Sequence, residues 1–196
     1  NGVGDGHPAN NLSEDGRIVA IQGFEAPLND LLTAGTGLPQ IVFNEGIGGD
    51  RSYHLSEERI DSILDRHPGA NRMLLLIGTN DVWTGQPVGQ FETYLEQIVT
   101  AALSGAIDRV YVALIPPFRN YPDQVLDAAS LNTRAQTYNQ SIRTFVSGYG
   151  SDAVMLGPDF YDLFITQMDQ WYTDGVHPND DGYAEMAEAW YAILNP

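Results

Sequence analysis

Met73-Leu74-Leu75-Leu76-Ile77-Gly78-Thr79-Asn80-Asp81 is the stretch whose reading decides the fold class. An unbroken apolar run of this length is the signature of a strand covered on both faces. The Gly, Asn and Asp that follow are turn formers, so the chain bends sharply at the strand's C-terminal end. Outward from this point the pattern repeats. Upstream, residues 40–44 read as a short apolar strand. Downstream, residues 110–115 read as a buried strand stopped by Pro116-Pro117, and residues 153–156 as a further short strand. Helical spacing fills the intervals. Phe24, Leu28, Leu31 and Leu32 mark one helix, with Gly35 as its expected stop. Ile60, Ile63 and Leu64 mark a second, ended by Pro68-Gly69. Phe91, Leu95, Ile98, Val99 and Ala102 form a third, residues 126–146 a long fourth, and Tyr183, Met186, Ala187, Trp190 and Leu194 the face of the last. Strands alternating with helices predict an α/β fold, a parallel sheet with helices on both sides. In such sheets active sites occupy loops at the C-terminal ends of strands.

Composition narrows the function. The chain has 196 residues, 43% of them hydrophobic and 18% charged, enough for one sizeable core. Neither repeats nor a linker interrupt residues 1–196, so a single domain is expected. No apolar run approaches the ~20 residues of a membrane span. Cysteine is absent, which excludes a disulfide scaffold, a thiol nucleophile and a cysteine zinc site. The net charge is −17, from 26 acids against 9 bases, and every base is an arginine. Such a chain repels nucleic acid and anionic lipid, so neither is expected as a main partner. Lacking lysine, it also lacks the phosphate-loop lysine of the common nucleotide-binding motif. Dense negative charge suits a saline or secreted setting, and an ordinary acidic cytoplasmic enzyme is the alternative. Residues 1–16, rich in Gly, Asn, Asp and Pro, read as loop without an apolar signal core.

Three segments carry chemistry. In Asp174-Gly175-Val176-His177 an acid three residues before a histidine can bind one ring nitrogen, leaving the other as a general base. The same spacing also arises by chance as a structural pair. In Gly78-Thr79-Asn80-Asp81 the asparagine amide can face a developing oxyanion, or the segment is a plain turn. In Asn44-Glu45-Gly46-Ile47-Gly48-Gly49-Asp50 three glycines allow close backbone approach to a ligand, or form a flexible connection.

In that order along the chain, the three segments together resemble the SGNH or GDSL hydrolase family, over about residues 24–194. Weaker echoes are Ile115-Pro116-Pro117, Tyr138-Asn139, and His177-Pro178-Asn179 leading into Gly182-Tyr183. They look most like the carbohydrate-esterase branch, which contains acetylxylan esterases. The resemblance implies a three-layer α/β/α sandwich with a mostly parallel, flavodoxin-like five-strand sheet. It implies Asp174 and His177 as catalytic acid and base, and Gly49 and Asn80 as oxyanion donors. It implies no cofactor. The substrate would be an acylated carbohydrate or another small ester.

One block of the family is missing. Its nucleophile lies in Gly-Asp-Ser at the end of the first strand, whereas the nearest string here, Gly4-Asp5-Gly6, has no hydroxyl and only three residues before it. A sheet without its central strand would orphan buried backbone groups at ~1–3 kcal/mol each. The expectation is therefore that the serine and first strand precede Asn1. Ser13 is the one substitute worth testing, although Glu14 and Asp15 would raise its pKa. Ser52, after Gly49-Asp50-Arg51, reads as capping or preceding the second helix.

Other residues leave two readings open. Trp83 and His54 are candidate substrate contacts, Trp83 as a cleft wall or a core residue and His54 as a contact or a surface residue. Trp171 and Tyr172 invite the same question as Trp83, whereas Trp190 sits at core spacing. His7 and His67 show no metal-ligand spacing with the other histidines. Asp5, Asn10, Asn11, Glu14 and Asp15 offer oxygen ligands for calcium without the ordered spacing of a calcium loop. The expected activity is a serine esterase that deacetylates a polysaccharide. The alternatives are a carbohydrate- or ester-binding protein without the nucleophile, and a lipid or aryl esterase of the same family.

Overall fold

The computed structural model describes residues 23–120 and 127–194. Its helices and strands alternate as α1 (Glu25–Thr36), α2 (Ser52–His54), a π-helical turn (Leu55–Arg59), α3 (Ile60–Arg66), β1 (Arg72–Leu75), α4 (Thr79–Thr84), α5 (Val88–Ser104), β2 (Arg109–Leu114), α6 (Ala128–Tyr149), β3 (Val154–Asp159), α7 (Phe160–Phe164), α8 (Met168–Trp171) and α9 (Asp180–Leu194). The α/β fold with a parallel sheet is the one the sequence predicts. Calpha contacts divide the chain into two compact units.

The first unit, Gly49–Phe118 with Val125–Leu163, holds the sheet. Strand order is β1-β2-β3, and both pairings are parallel, with Met73 opposite Val110 and Val110 opposite Val154. Val110 to Leu114 are all buried, as a central parallel strand requires. α5 packs on β2 and on α6, and α6 packs on β2 and β3. The buried stripe of α5 is the expected Phe91, Leu95, Ile98, Val99 and Ala102. α6 starts where Asp127 caps it by accepting from Ser130 N at 2.7 Å. Two of its asparagines, seven residues apart and so on one face, grip the backbone that leaves β2. Asn139 accepts from Ile115 N at 2.7 Å and donates to Ile115 O at 2.9 Å. Asn132 does the same to Phe118, at 2.7 and 2.8 Å. Pro116 and Pro117 lie between the two clasps and cannot donate to a sheet.

The second unit comprises the described residues of Asn1–Gly48, Arg119–Gln124 and Phe164–Pro196. α1 packs on α9, and the rings of Phe24 and Trp190 lie 6.4 Å apart. α9 buries Tyr183, Met186, Ala187, Trp190 and Leu194, as its spacing predicts.

Three expectations are corrected. Residues 40–44 are not a strand. Val42 N donates to Asn29 Oδ1 and Gln40 N to Thr33 Oγ1, both at 3.1 Å, so α1 side chains take two N–H groups that a ladder would use. Ile41 and Phe43 are 73% and 52% exposed. Of the four strands read within the chain, the other three form the sheet among the described residues. The run from Met73 is not covered throughout, because only Leu75 in β1 is buried. α1 stops at Gly37, in the left-handed conformation at φ 67°, rather than at Gly35. Gly35 lies inside the helix against the Tyr191 ring, where a Cβ would stand 3.1 Å from two ring carbons. Among the described residues no helix is long and apolar enough to cross a membrane.

Candidate active site

Asp174 and His177 sit in the tight connection between α8 and α9, in the second unit. The turn closes through Thr173 N donating to His177 O at 2.9 Å and an antiparallel bridge between Tyr172 and Pro178. Arg119 N donates to Gly175 O at 2.9 Å. Asn179 caps α9 by accepting from Gly182 N at 2.9 Å, and its own amide binds Gln170 O at 2.6 Å. Gly182 is required for this closeness, since a Cβ there would meet Trp171 O at 2.6 Å. Tyr172 is buried and stacked on Phe164 at 5.4 Å, and Trp171 meets Phe164 edge-on at 5.2 Å, so both aromatics support the turn from within.

Inside that frame Asp174 is saturated with donors. Its Oδ1 accepts from Val176 N at 2.7 Å and His177 N at 2.8 Å, and its Oδ2 lies 2.7 Å from His177 Nδ1. Burial pushes the carboxyl up. The ring and backbone hydrogen bonds from His177, the Val176 N–H and the imidazole charge outweigh it and hold the acid well below the usual range. An ionised carboxylate only accepts, so the ring's Nδ1 carries the proton at this contact. The His177 side chain is 43% exposed. A histidine held this way can accept a proton from a hydroxyl and return it.

The Gly49 and Asn80 segments belong to the first unit and are tied together. Asn80, the second residue of α4, donates its amide to Asp50 O at 2.8 Å. Gly49 has φ 86°, a left-handed conformation that disfavours a side chain, with open space where one would stand. Gly78 is needed on two counts. Its φ is 113°, and a Cβ would lie 2.6 Å from Ile115 Cδ1 and 3.0 Å from Phe91 Cε2. Asp81 is fully buried and binds Ser52, accepting from Ser52 N at 3.0 and 3.2 Å and from the Ser52 hydroxyl. Ser52 is equally buried, and its Oγ also accepts from Gln86 Nε2 at 3.2 Å. Burial raises the Asp81 pKa, against the Ser52 hydrogen bonds and the Arg51 charge that pull it down.

Residues 9–185 match the GDSL-like lipase/acylhydrolase family model. The chain belongs to that family. As a GDSL-family chain it shares its fold with solved structures at low identity. One is an acetyl xylan esterase, 19% identical, TM-score 0.71, covering 88% of this chain and 90% of the other. Another is an alpha/beta hydrolase enzyme from the metagenome of Lake Arreo, Spain, 19% identical, TM-score 0.70, covering 89% and 83%. A third is a carbohydrate esterase family 3 protein from Talaromyces cellulolyticus, 16% identical, TM-score 0.68, covering 88% and 89%. No curated protein matches.

The remaining candidates of this GDSL-family chain fall as follows. His54 accepts from Arg51 N at 3.1 Å through Nδ1 and lies 3.9 Å from Asp50 Oδ1, which gives it a local capping contact. Arg59 ends the π-helical turn and pairs with Asp50, the residue whose carbonyl holds Asn80. One extra residue in a helical turn shifts the side chains that follow, and such turns recur at functional sites. Trp83 is 39% exposed and lies against Phe118, ring centroids 6.2 Å apart. The sequence reading missed Asp81 and Arg59, whose partners lie on other elements; the acid's place just after the Gly-Thr-Asn turn was its only signal. Gly4-Asp5-Gly6, His7, Ser13 and the candidate calcium cluster lie outside the described residues. Among the described residues no three His, Asp or Glu side chains gather to hold a metal ion.

Proposed function

We propose that the protein is a serine esterase of the SGNH type that removes acetyl groups from a polysaccharide, or hydrolyses similar small acyl esters, through an acyl-enzyme. A serine hydroxyl, the group the family's first motif supplies, attacks the ester carbonyl as His177 Nε2 takes its proton. Asp174 fixes the tautomer and stabilises the imidazolium. The second N–H of the Asn80 amide, with the first held by Asp50 O, and the Gly49 N–H receive the oxyanion. Collapse breaks the ester bond, and His177 returns the proton to the leaving alcohol. Water then repeats the attack, releasing the acid and restoring the serine. The observation that carries this reading is the His177–Asp174 pair, its carboxylate bound by the ring and two backbone N–H groups, in a chain of this family.

Structural relatives named as an acetyl xylan esterase and a carbohydrate esterase support the acetylated-carbohydrate substrate. A polymeric substrate would put the protein outside the cell, and the acidity suits a saline medium. The test is hydrolysis of p-nitrophenyl acetate and octanoate by the product of the complete gene and by His177→Ala. The variant should lose at least about a thousandfold in kcat. Activity within tenfold of wild type would remove His177 from the mechanism. A preference for octanoate would favour a lipid esterase, and saturable binding without turnover a binding protein.

A further inference from the structure

Trp83 stands apart from the other large exposed side chains. It lies on α4 three residues after Asn80, on the same helical face, where side chains sit about 5–6 Å apart at Cβ. The indole keeps 39% of its surface exposed although Phe118 lies directly against it. That support is rigid. Phe118 is fully buried, and Asn132 clasps its backbone from α6. α4 itself is anchored by Asp81 to Ser52 and by the Arg134 guanidinium on Val82 O. Single exposed apolar side chains are common and need no explanation. Here, however, the exposed face is pre-ordered and one turn from the expected oxyanion donor, so a ring laid on it costs little conformational entropy.

We propose that Trp83 is a stacking platform for a neutral pyranose ring of the polymer that carries the acyl group. The inference rests on the esterase reading and deepens it. The apolar C–H face of a pyranose matches a flat indole, as other π-faces do. The choice of a neutral sugar follows from charge. With 26 acids against 9 bases, the chain repels uronates and sulfated glycans.

The test compares wild type, Trp83→Ala and Trp83→Phe on p-nitrophenyl acetate and on acetylated xylohexaose. Titration with unacetylated xylohexaose and with a galacturonate hexamer gives a binding readout independent of turnover. Trp83→Ala should raise KM for the acetylated oligosaccharide, and the loss in kcat/KM should exceed that on p-nitrophenyl acetate at least about fivefold. Trp83→Phe should restore most of it, and xylohexaose binding should weaken in parallel. Equal losses on both substrates, or unaltered xylohexaose binding, would overturn the platform. Galacturonate binding as tight as xylohexaose would overturn its neutral specificity. If wild type hydrolyses neither ester, the esterase reading fails, and the xylohexaose titration still decides the platform: loss of binding in Trp83→Ala upholds it, and no binding by wild type refutes it.

Discussion

Replacing Asp81 with alanine should destabilise the fold by about 3 kcal/mol, and the number follows from what the carboxylate holds. Ser52 gives it both a backbone N–H and a hydroxyl, and both residues are fully buried. Removing the carboxylate orphans two donors at about 1–3 kcal/mol each. Part of that returns, because the raised pKa of Asp81 means burial already penalises its charge. Against a total of about 5–15 kcal/mol, a net loss near 3 is large and measurable. The assay is urea denaturation of wild type, Asp81→Ala, Ser52→Ala and the double variant. Because the two residues serve each other, the double variant should cost clearly less than the sum, with a coupling of about 0.5–3 kcal/mol. Additive losses, or an Asp81→Ala variant within about 0.5 kcal/mol of wild type, would refute the reasoning. The pH dependence has a definite sign. A carboxyl whose folded pKa is raised contributes stability that is fully present below its unfolded pKa, about 3.9, and is lost as pH rises through the folded value. Asp81→Asn, which does not titrate, should therefore gain on wild type as pH rises from about 4 to 8.

Asp174 should behave oppositely. Its folded pKa is lowered, so its contribution is present above about pH 3.9 and is lost as pH falls toward the folded value. The stability gap between wild type and Asp174→Asn should shrink on acidification, and a constant gap in thermal melts would contradict the pairing. Gly78→Ala places a methyl 2.6 Å from Ile115 at a φ of 113° and should cost about 1–3 kcal/mol in the same denaturation assay. A neutral effect would mean the turn can relax.

What the sequence revealed depended on the range of the interactions. The stripes of α5 and α9 were legible because one helix face carries the whole signal. Asp174 and His177 were legible because their contact spans three residues and needs only the local turn. The segment at residues 40–44 shows the complementary case. Its apolar residues look like a strand, yet the Val42 and Gln40 N–H groups go to Asn29 and Thr33, and no periodicity records side chains that capture backbone groups. Asn132 and Asn139 show the same blindness on α6. Polar residues in a helix read as a solvent face, but these two share theirs with the buried Leu131, Ala135 and Ile142.

The Gly78-Thr79-Asn80-Asp81 motif shows how local and distant demands combine in one string. Gly78 answers to Ile115, just past β2, and to Phe91 of α5, which leave no room for a Cβ. Asn80 answers to the Asp50 carbonyl, thirty residues away. Asp81, a turn former by composition, answers to Ser52 and is sealed from solvent. Two of the four residues thus fasten α4 to the segment that follows Gly49, so the two expected oxyanion donors are held by one hydrogen-bonded unit. A pattern search sees a turn here because each residue type tolerates one. The physical requirement is stricter: a carboxylate can be buried at the start of a six-residue helix only if its donors arrive together from a distant segment. Loosening Ser52 should therefore disturb Asn80 as well as stability, and kcat of Ser52→Ala should fall further than its KM rises.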